Sequence, residues 1–329
     1  MDLQKTDYEL FIPSKEENNV LHSLNKIYSN VCQMNNEERE FLNAIILRNR
    51  PKKLLEVGVH EGGSSVIMLN AIKNDPEAKL FSIDYLEKCL PDKKTKNIGH
   101  IVDFYPDLQK QWTLFKGGLS LNFIEKIGKD IDLCLIDTVH SNPGEILDTL
   151  MILPFLKDEA IIVYHDVNDH TASGEFAECD VWGGFTNNLL FSAVNGKKYI
   201  QGNYVERSPL PNTNKSFYFP NIGAIRTDSE TKEHIFEIFN LLTLNWVYLP
   251  TEEEEYSIIN FFSKYYDKYL TEYVKKVFFY HRECFKHRHK NKNESVIVDV
   301  ISTKYLIRQL IKKILGKKLV ERIRRIKNK

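Results

Sequence analysis

The amino-acid sequence predicts a doubly wound α/β fold, with a mostly parallel sheet of seven strands and helical additions at both ends. Between residues 51 and 167, five short apolar runs alternate with helical segments. Strands that are apolar along their whole length are typical of a parallel sheet covered by helices on both faces. Two later runs, KKYIQGN and NIGAIRTD, bring the strands to seven and complete an open sheet.

The elements follow one another in a regular order. Two helices are expected first, one from about Ser14 and one from about Asn36, because apolar residues recur there at helical spacing. The five strands are then KKLLEVGV, KLFSIDY, WTLFKGG, IDLCLIDT and EAIIVYHDV. Helical patterns separate them at 64–72, 121–128 and 144–156.

The alternation ends after Asp166, where a polar, glycine-bearing stretch precedes a helical pattern at 186–196. Residues 231–244 also have a helical pattern. Thr251, with Glu254 three residues later, forms a capping box for a long helix that reaches about Phe285. We therefore divide the chain into a helical cap, a central α/β domain, a helical extension and a basic tail, at 1–50, 51–230, 231–290 and 291–329.

Composition excludes several classes of protein. Of the 329 residues, 42% are hydrophobic and 27% charged, which is too apolar for a largely disordered chain. The five cysteines are scattered and form no CxxC pair, so neither a disulfide framework nor a cysteine-based zinc site is indicated. No run is long and apolar enough to cross a bilayer, and the N-terminus is unlike a signal peptide. We expect a cytoplasmic protein.

A glycine-rich turn joins the first strand of the central domain to its first helix. It reads Glu56-Val-Gly58-Val-His-Glu-Gly62-Gly-Ser64. Glycines at such a turn allow a ligand to approach backbone N–H groups at a helix N-terminus. The second strand ends in Asp84, where an acid can accept hydrogen bonds from a ribose diol. The alternative readings are that the glycines only form the turn and that Asp84 is a helix N-cap.

The turn resembles the first motif, E/D-x-G-x-x-x-G, of class I S-adenosylmethionine-dependent methyltransferases. Over about residues 50–170 the chain is similar to the sugar and small-molecule O-methyltransferases related to the macrocin O-methyltransferase and cephalosporin hydroxylase proteins. IDTVHS at 136–141 is similar to the family's I-D-G-x-H-S/T, and HDV at 165–167 to its H-D-V ending, whereas Thr138 departs from the family's glycine. The resemblance implies a Rossmann-like methyltransferase fold. It also implies these cofactor-binding residues: Glu56, Gly58 and Gly62 at the methionine part, Asp84 at the ribose, Ser120 beside the adenine, and Ser64 at the end of the glycine-rich turn.

Four of the strands end in residues of these motifs, namely Gly58, Asp84, Asp137 and Asp166. Strand ends in an open parallel sheet converge on one crevice. Two mechanisms remain open there. In the first, His140 or His165 is the general base, because imidazole titrates near working pH. In the second, Asp137 and Asp166, with His165 as a third ligand, hold Mg²⁺, which acidifies and orients a sugar diol. The catalytic candidates are thus His140, His165 and Asp137.

The leading functional hypothesis is methyl transfer from S-adenosylmethionine to a hydroxyl of a sugar or other polyhydroxylated small molecule, as in surface glycan biosynthesis. The alternatives are a nucleic-acid-binding protein or RNA methyltransferase that uses the basic tail, and a hydroxylase-like relative that does not methylate. Against a nucleic-acid partner, residues 1–280 carry 29 basic and 41 acidic residues, a net charge of −12. We also expect 168–185 and 203–220 to cover the substrate.

The C-terminal tail, 303–329, has 11 basic residues and one acid, with apolar residues at helical spacing. Such a basic amphipathic helix is typical of binding to an anionic membrane surface, here the inner face of the membrane. The same pattern also suits packing on the protein or on a second copy in a homo-oligomer.

Overall fold

The computed structural model describes residues 8–28, 34–89, 96–139, 141–167, 186–201, 205–207, 216–218 and 221–291. Four expectations concern residues outside this part of the chain: those for His140, for the cover at 168–185, for most of the cover at 203–220 and for the tail at 303–329. Two compact units are present, Met1–Phe278 and Phe279–Lys329. No helix in the described ranges has the length and apolar character needed to span a bilayer.

An eight-stranded sheet forms the centre of the first unit, in the order β1-β7-β10-β6-β5-β2-β3-β4. Strand β10 runs antiparallel to both of its neighbours, and the other pairs are parallel. A separate antiparallel pair joins β8 and β9. The strands are β1 Tyr8–Phe11, β2 Lys53–Val57, β3 Lys79–Asp84, β4 Trp112–Lys116, β5 Ile131–Ile136, β6 Leu156–His165, β7 Lys197–Gln201, β8 Val205–Arg207, β9 Ser216–Tyr218 and β10 Ile222–Arg226.

All seven predicted strands are present, but the predicted strand count of seven is wrong for this sheet. The eighth strand, β1, is only four residues long and contains Glu9, so its sequence lacks the continuous apolar run of the central strands, and its Leu10 is 65% exposed. Its position is set by tertiary packing, because the ring of Phe11 lies edge-on to Phe41 at 5.1 Å and to Tyr199 at 6.2 Å.

The helices of the central domain lie on both faces of the sheet. The chain steps in one direction from β2 to β3 and in the other from β5 to β6, so right-handed crossovers place the intervening helices on opposite faces. The helices are α1 Lys15–Tyr28, α2 Asn36–Asn49, α3 Gly63–Ile72, α4 Ile124–Ile127, α5 Gly144–Ile152, α6 Thr186–Ala193, α7 Ser229–Glu233, α8 Ile235–Leu241, α9 Glu252–Tyr265 and α10 Lys268–Asn291.

Two predicted helices are divided. The helix expected at 231–244 consists of α7 and α8, which meet at His234. The long helix that begins at the confirmed Thr251 capping box ends at Tyr265, and α10 starts afresh at Lys268. Between them Tyr266 has an extended backbone, and Asp267 Oδ1 accepts a hydrogen bond from Leu270 N at 2.8 Å. An aspartate that accepts from the next turn favours a helix start over an uninterrupted helix.

Strand register brings the candidate site residues to one edge of the sheet. Val57 pairs with Ile83 and Ile136, and Ile136 pairs with Tyr164. The next residue on each strand therefore lies at the same carboxyl edge: these residues are Gly58, Asp84, Asp137 and His165. The antiparallel strand β10 begins at this edge, because Ile222 pairs with His165.

Candidate active site

The turn after β2 requires glycine at two positions. Gly58 has φ +90°, and a Cβ there would lie 1.8 Å from the backbone oxygen of Asp137. Gly62 has φ +96°, and a Cβ there would lie 2.9 Å from the Cα of Gly99. Any side chain at Gly58 would thus force β2 and β5 apart at the edge where the site residues meet.

Asp84 holds this turn from the neighbouring strand. Its Oδ2 accepts hydrogen bonds from the backbone N–H groups of Val59, at 3.0 Å, and His60, at 2.9 Å, and its Oδ1 accepts from Leu86 N at 2.8 Å. The helix N-cap reading is wrong, because residues 85–89 are not helical. Each carboxylate oxygen has two lone pairs, so Oδ1 retains acceptor capacity for a ligand hydroxyl.

Glu56 lies beneath the turn and is fully buried. Its carboxylate accepts hydrogen bonds from three hydroxyls: Ser64 Oγ at 2.5 Å, Ser65 Oγ at 2.6 Å and Ser82 Oγ at 2.6 Å. Burial raises the pKa of Glu56 to about 7, although the three hydroxyl donors act in the opposite direction. The hydrogen bond between Ser64 and Glu56 joins the end of β2 to the first turn of α3.

Ser120 bonds to an acid that the sequence analysis did not single out. The Ser120 side chain is 1% exposed, and its Oγ donates to Asp148 Oδ1 on α5 at 2.6 Å. Burial raises the pKa of Asp148 to about 6, and the nearby charge of Glu145 acts in the same direction. The sequence did contain a signal, since Asp148 interrupts the apolar pattern of GEILDTLMI.

Asp137, His165 and Asp166 form a polar cluster at this edge. His165 Nδ1 lies 3.4 Å from Asp137 Oδ2 and 3.5 Å from Asp166 Oδ1. Asp166 has φ +56°, a left-handed backbone that is uncommon outside glycine and often occurs at functional sites. The structure thus brings together the three residues that the sequence predicts as metal ligands.

A further carboxylate, missed by the sequence analysis, lies on the other side of the imidazole. Glu38 Oε2, on α2, is 3.3 Å from His165 Nε2, and both residues are buried. Burial lowers the pKa of His165, but the carboxylates of Asp137, Asp166 and Glu38 outweigh it, so this pKa lies well above its ordinary value. Burial raises the pKa of Glu38, but His165 and two backbone N–H donors outweigh it and leave the pKa below its usual range.

The donor set fits a divalent cation. Asp137, His165 and Asp166 each offer one ligand atom, and these atoms lie within 4.8 Å of one another. His165 Nδ1 is buried and makes no hydrogen bond of acceptable geometry, although two carboxylates face it. Two carboxylate oxygens and one imidazole nitrogen are ligands suited to Mn²⁺ or Mg²⁺.

Two neighbouring asparagines hold the cluster. Asn221 Nδ2 donates to Asp166 Oδ1 at 2.5 Å, and Asn187 Nδ2 donates to the backbone oxygen of His165 at 2.7 Å. Asn221 precedes β10 and Asn187 lies on α6, so residues distant in sequence fix the end of β6.

Comparison with known proteins gives one family match. Residues 55–167 match the model of a family described as a methyltransferase domain, which supports the resemblance to class I methyltransferases found in the sequence. A search of curated proteins gives no match.

Solved structures similar to the chain include two O-methyltransferases. One, from Bacillus cereus and in complex with SAH, is 13% identical, with a TM-score of 0.39, 66% of this chain covered and 93% of that chain. The other is TomG from Streptomyces achromogenes, involved in tomaymycin synthesis and in complex with SAM; it is 12% identical, with a TM-score of 0.40, 66% of this chain covered and 92% of that chain.

Proposed function

We propose that this protein transfers a methyl group from S-adenosylmethionine to a hydroxyl of a sugar or other polyhydroxylated small molecule, with a divalent cation held by Asp137, His165 and Asp166. The observation that carries the proposal is the shared edge. The glycine turn, which Asp84 holds, lies at the same edge of the sheet as the cluster of Asp137, His165 and Asp166. Both stand at the carboxyl ends of adjacent strands, in a segment that matches a methyltransferase domain.

The glycine turn supplies the donor side. The sulfonium of S-adenosylmethionine is a strong methyl electrophile, so the protein has mainly to align donor and acceptor. Asp84, with acceptor capacity left on Oδ1, suits a ribose diol. Ser120 and Asp148 lie after β4 and on α5, where the adenine is expected, and a carboxyl accepts readily from an amino group.

The cluster supplies the acceptor side. A divalent cation bound there would lower the pKa of a coordinated hydroxyl and orient it. Asp137 and Asp166 place carboxylate oxygens beside His165 Nδ1, and Glu38 accepts a hydrogen bond from His165 Nε2–H. The imidazole therefore keeps its orientation, and His140, the other general-base candidate from the sequence, would take the proton of the acceptor hydroxyl.

The finer parts of the proposal come from the sequence. The likeness to macrocin O-methyltransferase and cephalosporin hydroxylase proteins favours a glycan-related acceptor. The charge of the tail at 303–329 favours contact with an anionic membrane. Co-sedimentation of the full chain with anionic vesicles at low and high salt tests that contact. Protein that stays in the supernatant at low salt would favour packing or homo-oligomer formation instead.

The decisive experiment combines binding and turnover. Calorimetry should show S-adenosylmethionine binding to the full chain, and sugar nucleotides incubated with both should gain about 14 mass units, the replacement of H by CH₃. A wild-type protein that binds no S-adenosylmethionine would overturn the proposal. Loss of turnover in EDTA, restored by Mg²⁺ or Mn²⁺, would separate the cation mechanism from a histidine base acting without metal.

A further inference from the structure

We infer that Glu38, on α2 outside the matched methyltransferase segment, is a positioning residue that holds His165 with its Nδ1 lone pair towards Asp137 and Asp166. This inference rests on the proposed cation site. It assigns a role in that site to the helical cap at 1–50, for which the sequence predicts only two helices ahead of the central domain.

Glu38 is itself held from several directions. Oε2 accepts from Asn35 N at 2.8 Å, and Oε1 accepts from Asn35 Nδ2 at 2.8 Å and from Asn221 N at 2.9 Å. Asn35 Oδ1 accepts from Glu38 N at 2.9 Å, which completes a capping box at the start of α2. The carboxylate is 2% exposed and has little freedom to turn away from His165.

This contact selects one form of the imidazole. A histidine that binds a cation must be neutral, with one N–H donor and one acceptor nitrogen, and the Glu38 carboxylate beside Nε2 keeps the remaining hydrogen there when the Nδ1 proton is displaced by the cation. The lone pair then lies on Nδ1, which is the nitrogen 3.4 Å from Asp137 Oδ2 and 3.5 Å from Asp166 Oδ1. A carboxylate on the second nitrogen of a metal-binding histidine fixes its tautomer and ring orientation in this way.

Asn221 connects the same carboxylate to a second cation ligand. Its backbone N–H donates to Glu38 Oε1, and its side-chain amide donates to Asp166 Oδ1. Glu38 thus bonds directly to the residue that orients Asp166. A purely structural ion pair would have no need of contacts that reach two of the three ligands.

The test compares Mn²⁺ binding by the full-length protein with that of three variants. Glu38→Gln retains a residue that can complete the capping box but removes the carboxylate from His165. Glu37→Gln, one residue earlier in the same turn, is the matched control for loss of one negative charge. Asp137→Asn removes a ligand. Electron paramagnetic resonance of free Mn²⁺ gives each affinity, thermal unfolding gives each stability, and calorimetry gives S-adenosylmethionine binding.

We expect Glu38→Gln to weaken Mn²⁺ binding by about 10- to 100-fold, with S-adenosylmethionine affinity unchanged, and Glu37→Gln to bind Mn²⁺ as the wild type does. If wild type and Glu38→Gln bind Mn²⁺ equally while Asp137→Asn does not, the role of Glu38 is refuted and the cation site remains. Equal losses in Glu37→Gln and Glu38→Gln would also refute it, because the effect would be one of charge alone. A wild type that binds S-adenosylmethionine but no Mn²⁺ would overturn the cation site and this inference together, leaving methyl transfer intact.

Discussion

Replacement of Glu56 by glutamine should change how the stability of the protein depends on pH. Glu56 is fully buried beneath the glycine turn, and its carboxyl group contacts three serine hydroxyls. Burial raises its pKa from 4.5 to about 7. Glutamine has nearly the same shape and hydrogen-bonding reach but carries no titrating proton, so the Glu56→Gln variant isolates the ionisation of this one group.

The sign of this pH dependence follows from how many protons the folded and the unfolded protein bind. Between about pH 4.5 and pH 7 the folded protein keeps a proton on Glu56 that the unfolded chain has lost. The folded state binds more protons in this window, so the contribution of Glu56 to the free energy of unfolding falls as pH rises, by ~1.4 kcal/mol per pH unit. Across the window the loss is about 3 kcal/mol, and above it the contribution is constant. The stability of Glu56→Gln relative to wild type should therefore rise by about 3 kcal/mol over this range.

Urea unfolding at a series of pH values measures this difference. Tryptophan fluorescence is a suitable signal, because Trp112 Nε1 donates to Ser82 Oγ in the same cluster. Glu87→Gln, which removes an exposed carboxyl nearby, is the control and should track wild type at every pH. A difference between Glu56→Gln and wild type that stays flat across the window would show that Glu56 ionises normally in the folded protein, and the reasoning would be refuted.

Three further predictions concern the same edge of the sheet. Gly58→Ala should lower the free energy of unfolding by about 1–3 kcal/mol or more and abolish S-adenosylmethionine binding in calorimetry, because the new Cβ meets the Asp137 carbonyl; normal binding would show that the turn can shift. Asp84→Ala should weaken that binding about tenfold or more, because charge-assisted hydrogen bonds worth roughly 1.5–3 kcal/mol are lost; an unchanged dissociation constant would contradict the ribose role. Asp137→Asn and Asp166→Asn should each remove most turnover while circular dichroism stays native, and full turnover in both would exclude the cluster from catalysis.

The central sheet and the donor side could be predicted from sequence because they are encoded locally. Five of the seven predicted strands are short apolar runs, and the glycine turn follows the first of them directly. Asp84, Asp137 and Asp166 each stand at the end of such a run, so the rule that strand ends converge was enough to bring them together. The structure confirms that Asp137, His165 and Asp166 lie within one cluster.

The rest depends on contacts between residues far apart in sequence. Strand β1 is too short and too exposed to be recognised without its packing against Phe41 and Tyr199. Glu38 reads in the sequence as an ordinary first-turn acid of a helix, which it also is. Glu38 is 127 residues from His165 in the sequence, and only the fold brings its carboxylate to 3.3 Å from the imidazole.

The two sides of the site therefore differ in what holds them together. The donor side depends chiefly on residues within the matched segment. Asp84 on β3 holds the turn that contains Gly58, and Glu56 on β2 bonds to Ser64 on α3. The acceptor side depends on residues outside it, because Glu38 precedes the segment and Asn221 follows it. Without α2, the buried N–H groups of His165 Nε2 and Asn221 would lose their acceptor, at a cost of about 1–3 kcal/mol for each unsatisfied group. The glycine turn is thus held by residues within 55–167, whereas the cluster of Asp137, His165 and Asp166 is held by the N-terminal helix α2 and by the residue before the last strand of the sheet.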